Sequence, residues 1–137
     1  MLLSLARAVR RPVREVRAHC DLPCGVYDPA QARIEAESVK AMQERYQANT
    51  DPVFRTRAIM IIEQRSQLAK DHLCVLWTDY FKPEHFEKYP YLHGLLNAAA
   101  KAASSEGTKG STDPATGQHL LDLIAQVDKV FWETKQG

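Results

Sequence analysis

The sequence predicts an all-α fold, a four-helix bundle, on three observations. Three Asp-Pro dipeptides, Asp28-Pro29, Asp51-Pro52 and Asp113-Pro114, each pair an N-cap acceptor with a residue whose missing N–H is harmless in a first helical turn. The segments after them carry apolar residues at spacings of three and four. Strand-type alternation occurs nowhere along the chain. At 137 residues there is material for one compact core and too little for two, and four amphipathic helices bury their faces most economically as a bundle.

The first helix is expected from Pro29 to about Ala48. Gln31, three residues after Asp28, completes a capping-box-like pattern. Its seam runs through Ala32, Glu35, Val39, Met42 and Tyr46. The second is expected from Pro52 to about Tyr80, with a seam through Phe54, Ala58, Ile61, Arg65, Leu68, His72 and Val75. Glu35 and Arg65 are the misfits. A carboxylate and a guanidinium on neighbouring apolar stripes are costly to bury apart and tolerable when paired, so the two are expected to meet; the alternative is that both sit at seam edges and reach water. The stretch "YFKPEHFEKYPYLHG", dense in aromatics and holding two prolines, should bend the chain and contain only a short helical turn. A third helix follows from about Pro90 to Ser104 through "LLNAAAKAA", then a flexible loop, "SSEGTKGST". The fourth spans Pro114 to about Lys135, with Leu120, Ile124, Val127 and Phe131 on its inward face.

Composition narrows the function classes. Apolar residues at 45% and charged residues at 26% are the balance of a globular protein, and no apolar run approaches the roughly 18 residues of a membrane span. The formal net charge of +1 hides an asymmetry, because residues 1–18 hold five arginines against one glutamate. The remaining residues are mildly acidic, which argues against a phosphate-binding nucleic-acid module. The apolar start of that leader, "MLLSLA", is shorter than the roughly 7–15 residues of a secretory core. Its Arg-rich, acid-poor pattern is also that of a mitochondrial address, and a retained basic helix is the alternative to removal.

The chemistry concentrates in "AHCDLPCGVYDP", where His19, Cys20 and Cys24 fall within six residues of a chain that has only three cysteines. An imidazole and two thiolates make a soft donor set. The spacing is not that of zinc, which draws four ligands from two separated pairs and would have only Cys74 as a weak fourth. A thioredoxin pair needs Cys-x-x-Cys beside a strand–helix unit, and haem attachment needs Cys-x-x-Cys-His. Residue types alone leave three readings: a metal site, a disulfide or redox pair, or structurally idle thiols.

The hook pattern His-Cys-x-x-Pro-Cys-Gly-x-Tyr, the segment "HCDLPCGVYDPAQARIEAESVKAMQE", and the later "KDHLCVLWTDYFKPEHFEKYPYLH", "DPATGQ" and "VFWETK" resemble the nickel-containing superoxide dismutases. The resemblance runs from His19 to Gly137. It implies a four-helix bundle with an N-terminal metal-binding hook: a cleavable propeptide at 1–18 and a mature domain at 19–137, with the hook at 19–27. It implies one nickel ion per subunit, held by the new α-amine and imidazole of His19, the backbone nitrogen and thiolate of Cys20, and the thiolate of Cys24. Anionic thiolate and amide donors stabilise Ni(III), and a planar N,S set suits Ni(II). The α-amine exists only after the Ala18–His19 bond is cut, which would explain the leader.

The same resemblance assigns the other site residues. Tyr27 would limit access at the open face of the metal, and Asp21 and Pro23 would shape the hook. Glu35 and Arg65 would form a relay that orients the His19 ring. Lys82 would attract the anionic substrate. It implies superoxide as substrate, a homohexamer, and a processing protease as partner, with neither nucleic acid nor membrane. The compartment expected is the cytoplasm, the Arg-rich leader leaving an organellar or exported address open. His72, His85, His93 and His119 receive no metal role, and Cys74 is read as a small apolar residue. Two rival readings use the same residues: a nickel or copper carrier without turnover, and a thiol–disulfide regulator built on Cys20 and Cys24.

Overall fold

The computed structural model describes residues 24–137. Its helices are α1 (Ala30–Ala48), α2 (Pro52–Val75), α3 (Pro83–Lys88), α4 (Leu92–Ala102) and α5 (Pro114–Gln136), and no strand occurs among the described residues. The long helix α1 packs on α2 and α5, and α4 packs on α5 and α2, so the four close a ring. The short α3 leans on α4, the expected turn within the aromatic break.

Two of the Asp-Pro caps form as the sequence predicts. The Asp51 carboxylate accepts from the N–H groups of Val53 and Phe54 at 3.4 and 3.1 Å, and Asp113 accepts from Ala115 at 2.9 Å. At α1 the cap shifts by one. Pro29 is already in the αR region, and Asp28 Oδ1 accepts from Ala30 N–H at 2.9 Å.

Both predicted seams are displaced. The line that α1 buries is Ala32, Ala36, Val39 and Gln43, and that of α2 is Ala58, Ile62, Ser66, Ala69 and Leu73. Met42, Tyr46, Phe54, Ile61, His72 and Val75 are half-buried flanks, and Leu68 is 37% exposed. Large apolar residues define an apparent stripe, but two helices approach most closely along their small residues. Ala32, Ala36, Ala58, Ser66 and Ala69 supply that contact face, and the bulkier side chains splay to either side.

The "SSEGTKGST" connection is a packed turn rather than the flexible loop expected. Thr108 is fully buried, its hydroxyl 2.7 Å from that of the equally buried Ser66. Gln43, also fully buried, donates to Ser111 O at 3.1 Å and to Thr116 Oγ1 at 2.8 Å. At Gly107 a Cβ would stand 1.9 Å from the Ala102 carbonyl oxygen, so only glycine admits this approach. The polar composition that reads as a loop is here a set of partners for buried donors and acceptors.

The core has two parts. One lies where the small residues meet, with Ala36, Ala69, Leu73, Leu120 and Ile124. The other holds Leu76, Phe81, Leu92, Leu96, Val127 and Phe131, with Tyr27, Tyr80 and Phe86 packed against it. Between α2 and α3 the chain makes a π-helical turn, Leu76–Tyr80, closed by Phe81 N–H donating to Leu76 O at 2.9 Å. This wider turn is a feature often found beside functional sites, and it sets Tyr80 at the end of the bundle from which the N-terminal segment departs.

Candidate metal centre

The described part of the hook begins at Cys24. Its side chain is solvent-exposed, and its sulfur accepts the Val26 N–H at 3.4 Å. Gly25 between them has φ +72°, a left-handed conformation that side-chain-bearing residues rarely adopt. Val26 is 73% exposed, whereas Tyr27 is half-buried and Pro29 buried. The segment is therefore anchored at Tyr27 and Pro29 and leaves the bundle at Cys24.

Tyr27 stands on Tyr80, with ring centroids 5.6 Å apart at 56°. Tyr80 is itself fixed: its hydroxyl lies 2.7 Å from Thr134 Oγ1 and its ring 4.4 Å from that of Phe131. Beside these rings opens a cleft of about 470 Å³, lined among others by Gly25, Tyr27, Tyr80, Lys82, His85 and Lys135. The Lys135 ammonium lies 5.1 Å from the centre of the Tyr80 ring, within cation–π range. Two lysines against one carboxylate, Asp79, give the cleft a positive excess, which favours entry of a small anion. A second hollow, of about 360 Å³ between α4 and the start of α5, shares no lining residue with this cleft and contains none of the expected site residues.

Glu35 and Arg65 do meet, with Arg65 NH1 3.1 and 3.4 Å from the two carboxylate oxygens. Glu35 is 15% exposed and Arg65 43%, so the pair bridges α1 and α2 at the edge of their contact. The expected pairing forms; of the alternative, in which both reach water, only the Arg65 guanidinium does so. Lys82 is exposed at the cleft, immediately before α3. His19, Cys20, Asp21 and Pro23 lie outside the described residues, as does the propeptide.

Among the described residues no group of three His, Cys, Asp or Glu side chains is placed to hold a metal. Cys24 is the described donor that fits nickel, as an accessible sulfur on a tight turn. Cys74 fits poorly. It is half-buried on α2, and burial pushes its thiol pKa up, the Lys70 charge opposing and the Asp71 charge adding to the rise. It is therefore a protonated thiol at neutral pH rather than a thiolate ligand. Sequence reasoning gave His85 no metal role and did not single out Tyr80, Thr134 or Lys135. The signal for Lys135 was present: it follows Phe131 by four residues, on the face of α5 that turns toward the aromatic break.

Fold and site together define a helical-bundle protein with an aromatic, positively charged cleft beside its N-terminal segment. The model of the family described as nickel-containing superoxide dismutase matches residues 14–135. The chain is 68% identical over 125 residues to superoxide dismutase [Ni] of Streptomyces coelicolor, covering 91% of this chain and 94% of that relative. The figures are the same for its counterpart in Streptomyces seoulensis. The native structure of nickel superoxide dismutase shares the fold at a TM-score of 0.83 and 69% identity, covering 87% of this chain and 100% of that one. The chain belongs to the nickel-containing superoxide dismutase family.

Proposed function

We propose that this chain is the precursor of a nickel superoxide dismutase that converts two superoxide ions and two protons into O2 and H2O2. The observation that carries the reading is that Gly25 and Tyr27, which follow Cys24 in the hook of a chain of this family, line an aromatic cleft with a positive excess. Nickel, when bound, supplies the one-electron couple that accepts an electron from one superoxide and returns it to the next. His19, Cys20 and Cys24 would hold it, one ion per subunit.

The chain's own residues supply access and orientation. Lys82 draws the anion into the cleft, with Lys135 adding charge on the opposite wall. Tyr27, braced on Tyr80, narrows the approach so that a small anion reaches the hook and bulkier molecules do not. Asp21 and Pro23 shape the hook, and the Glu35–Arg65 pair orients the His19 ring.

Removal of residues 1–18 frees the His19 α-amine for the metal. In support, the curated relatives align over 125 residues, more than the 119 from His19 to Gly137, whereas the solved native relative covers 87% of this chain, the share that residues 19–137 make up. A homohexamer is supported by apolar side chains left in solvent on the hook, α1 and α2: Val26, Ile34, Val53 and Met60 are each more than half exposed. No helix among the described residues is long and apolar enough to cross a membrane. We assign the mature enzyme to the cytoplasm, which fractionation of expressing cells would test.

The decisive experiment is native mass spectrometry of purified protein, followed by superoxide decay measured by pulse radiolysis. A subunit beginning at His19, one nickel per subunit, six subunits, a Ni(III) EPR signal and fast decay are expected. Nickel-loaded mature protein without turnover would overturn the dismutase reading and favour the carrier. A Cys20–Cys24 disulfide with activity indifferent to metal removal would favour the thiol regulator.

A further inference from the structure

His85 has no part in the metal chemistry described above, yet it contacts two other residues that line the cleft, Lys82 and Tyr80. It sits in the first turn of α3, where its Nδ1 accepts the backbone N–H of Lys82 at 3.0 Å while its own N–H donates to the Lys82 carbonyl at 2.9 Å. The two bonds are reciprocal, and they pin the Lys82 backbone on both sides. A ring nitrogen that accepts an N–H does so through its lone pair. The ring lies nearly parallel to Tyr80, centroids 5.9 Å apart at 20°, and edge-on to the buried Phe81 at 5.9 Å and 89°. Lys82 itself is exposed and lines the cleft, and among the described residues no ion pair holds its side chain.

Resting on the dismutase reading, we propose that His85 is a positioning residue for superoxide entry: it fixes the Lys82 backbone and braces the outer face of Tyr80, so that the cation and the ring that backs Tyr27 keep one relative placement. A lysine on an unrestrained connection would spread its charge over many positions. Anchoring its backbone confines the ammonium to the cleft mouth, where it steers an incoming anion. Tyr80 is then held from two sides, by Thr134 at its hydroxyl and by His85 at its ring. The other charged and titratable groups of this cleft, Tyr27, Asp79 and Lys135, come from three different elements, so no single helix could hold the constellation without such a cross-brace.

The test compares mature, nickel-loaded wild type with His85→Ala and His85→Asn. Asparagine places its Oδ1 near the position of Nδ1 and so keeps an acceptor for the Lys82 N–H, while removing the ring. In His85→Ala, hydrogen exchange at the Lys82 amide should accelerate about tenfold. Its kcat/KM should fall about threefold to tenfold at low ionic strength and converge with wild type at high salt, flattening the salt dependence. Nickel content and the EPR signal should be unchanged. His85→Asn should restore Lys82 protection and most of the salt slope. An unchanged salt slope in His85→Ala would overturn the proposal, as would a Lys82 amide equally protected in all three proteins. If His85→Ala does not fold, His85→Phe, which keeps a ring beside Tyr80 and lacks the acceptor, takes its place and should lose Lys82 amide protection and salt slope in the same way, an unchanged slope and protection overturning the proposal. Wild-type protein that binds nickel without turnover sinks the dismutase reading separately, and the exchange measurement still decides whether His85 anchors Lys82.

Discussion

Glu35 and Arg65 show how a local anomaly in a pattern can locate a site. Each is a charge on an otherwise apolar stripe, and they pair at 3.1 Å across α1 and α2. Because Arg65 keeps 43% of its side chain in solvent, the pair contributes little to stability. Arg65→Ala should therefore lower the unfolding free energy in urea by only about 1 kcal/mol. If the pair orients His19, the same variant should lose far more of its dismutase activity than this stability change explains. Cys74 makes a pH prediction. Its folded-state pKa is raised, with burial the largest cause, so its contribution to stability is whole below the ordinary thiol value of 9.0 and is lost as pH rises through the higher folded value. Urea stability of the wild type should decline more steeply above that pH than stability of Cys74→Ala. Equal slopes would show that the thiol is not sheltered as described.

The helices carry a different lesson. The apolar periodicity identified α1 and α2 but rotated their faces, because side-chain size was read as burial when closeness of approach selected the small residues instead. Gln43 is the plainest case: a polar residue at a fully buried position, bonded to Ser111 of the connection that looked like a loose loop and to Thr116 in the first turn of α5. Gly117 faces it on α5. A Cβ there would stand 2.5 Å from Gln43 Oε1 and 2.9 Å from the Lys40 Cα, which is backbone and cannot swing away. Gly117→Ala should destabilise the bundle by about 1–3 kcal/mol despite alanine's better helix propensity, measured by thermal or urea unfolding. A neutral or stabilising result would mean that α1 and α5 are not in this close contact.

Across the whole molecule, the proposed nickel donor that is described stands apart from the packed interior. The two core clusters of described residues are built from residues 32–131, Cys24 belongs to neither, and Tyr27 packs against one of them. Stripping nickel from mature protein should abolish superoxide decay while leaving the helical circular dichroism signal within about a tenth of its holo value, as expected when a terminal segment lies outside the packed core. Loss of helicity on metal removal would show instead that the metal is part of the folding core, as it is in small zinc domains. The exposed apolar side chains of the hook, α1 and α2 bear on assembly in the same way: a subunit with Val26 and Met60 in water presents apolar surface available for a subunit contact.

The sequence by itself determined the helices, their Asp-Pro starts, the pairing of two misplaced charges and, through the hook motif, the family, because each rests on residue type and short-range spacing. Only the tertiary structure decided which helix faces touch, that the glycine-rich connection is packed, and that Tyr80, His85 and Lys135 gather beside Tyr27. Those outcomes depend on how closely backbones approach and on residues brought together from distant elements. Spacing along one chain does not encode either.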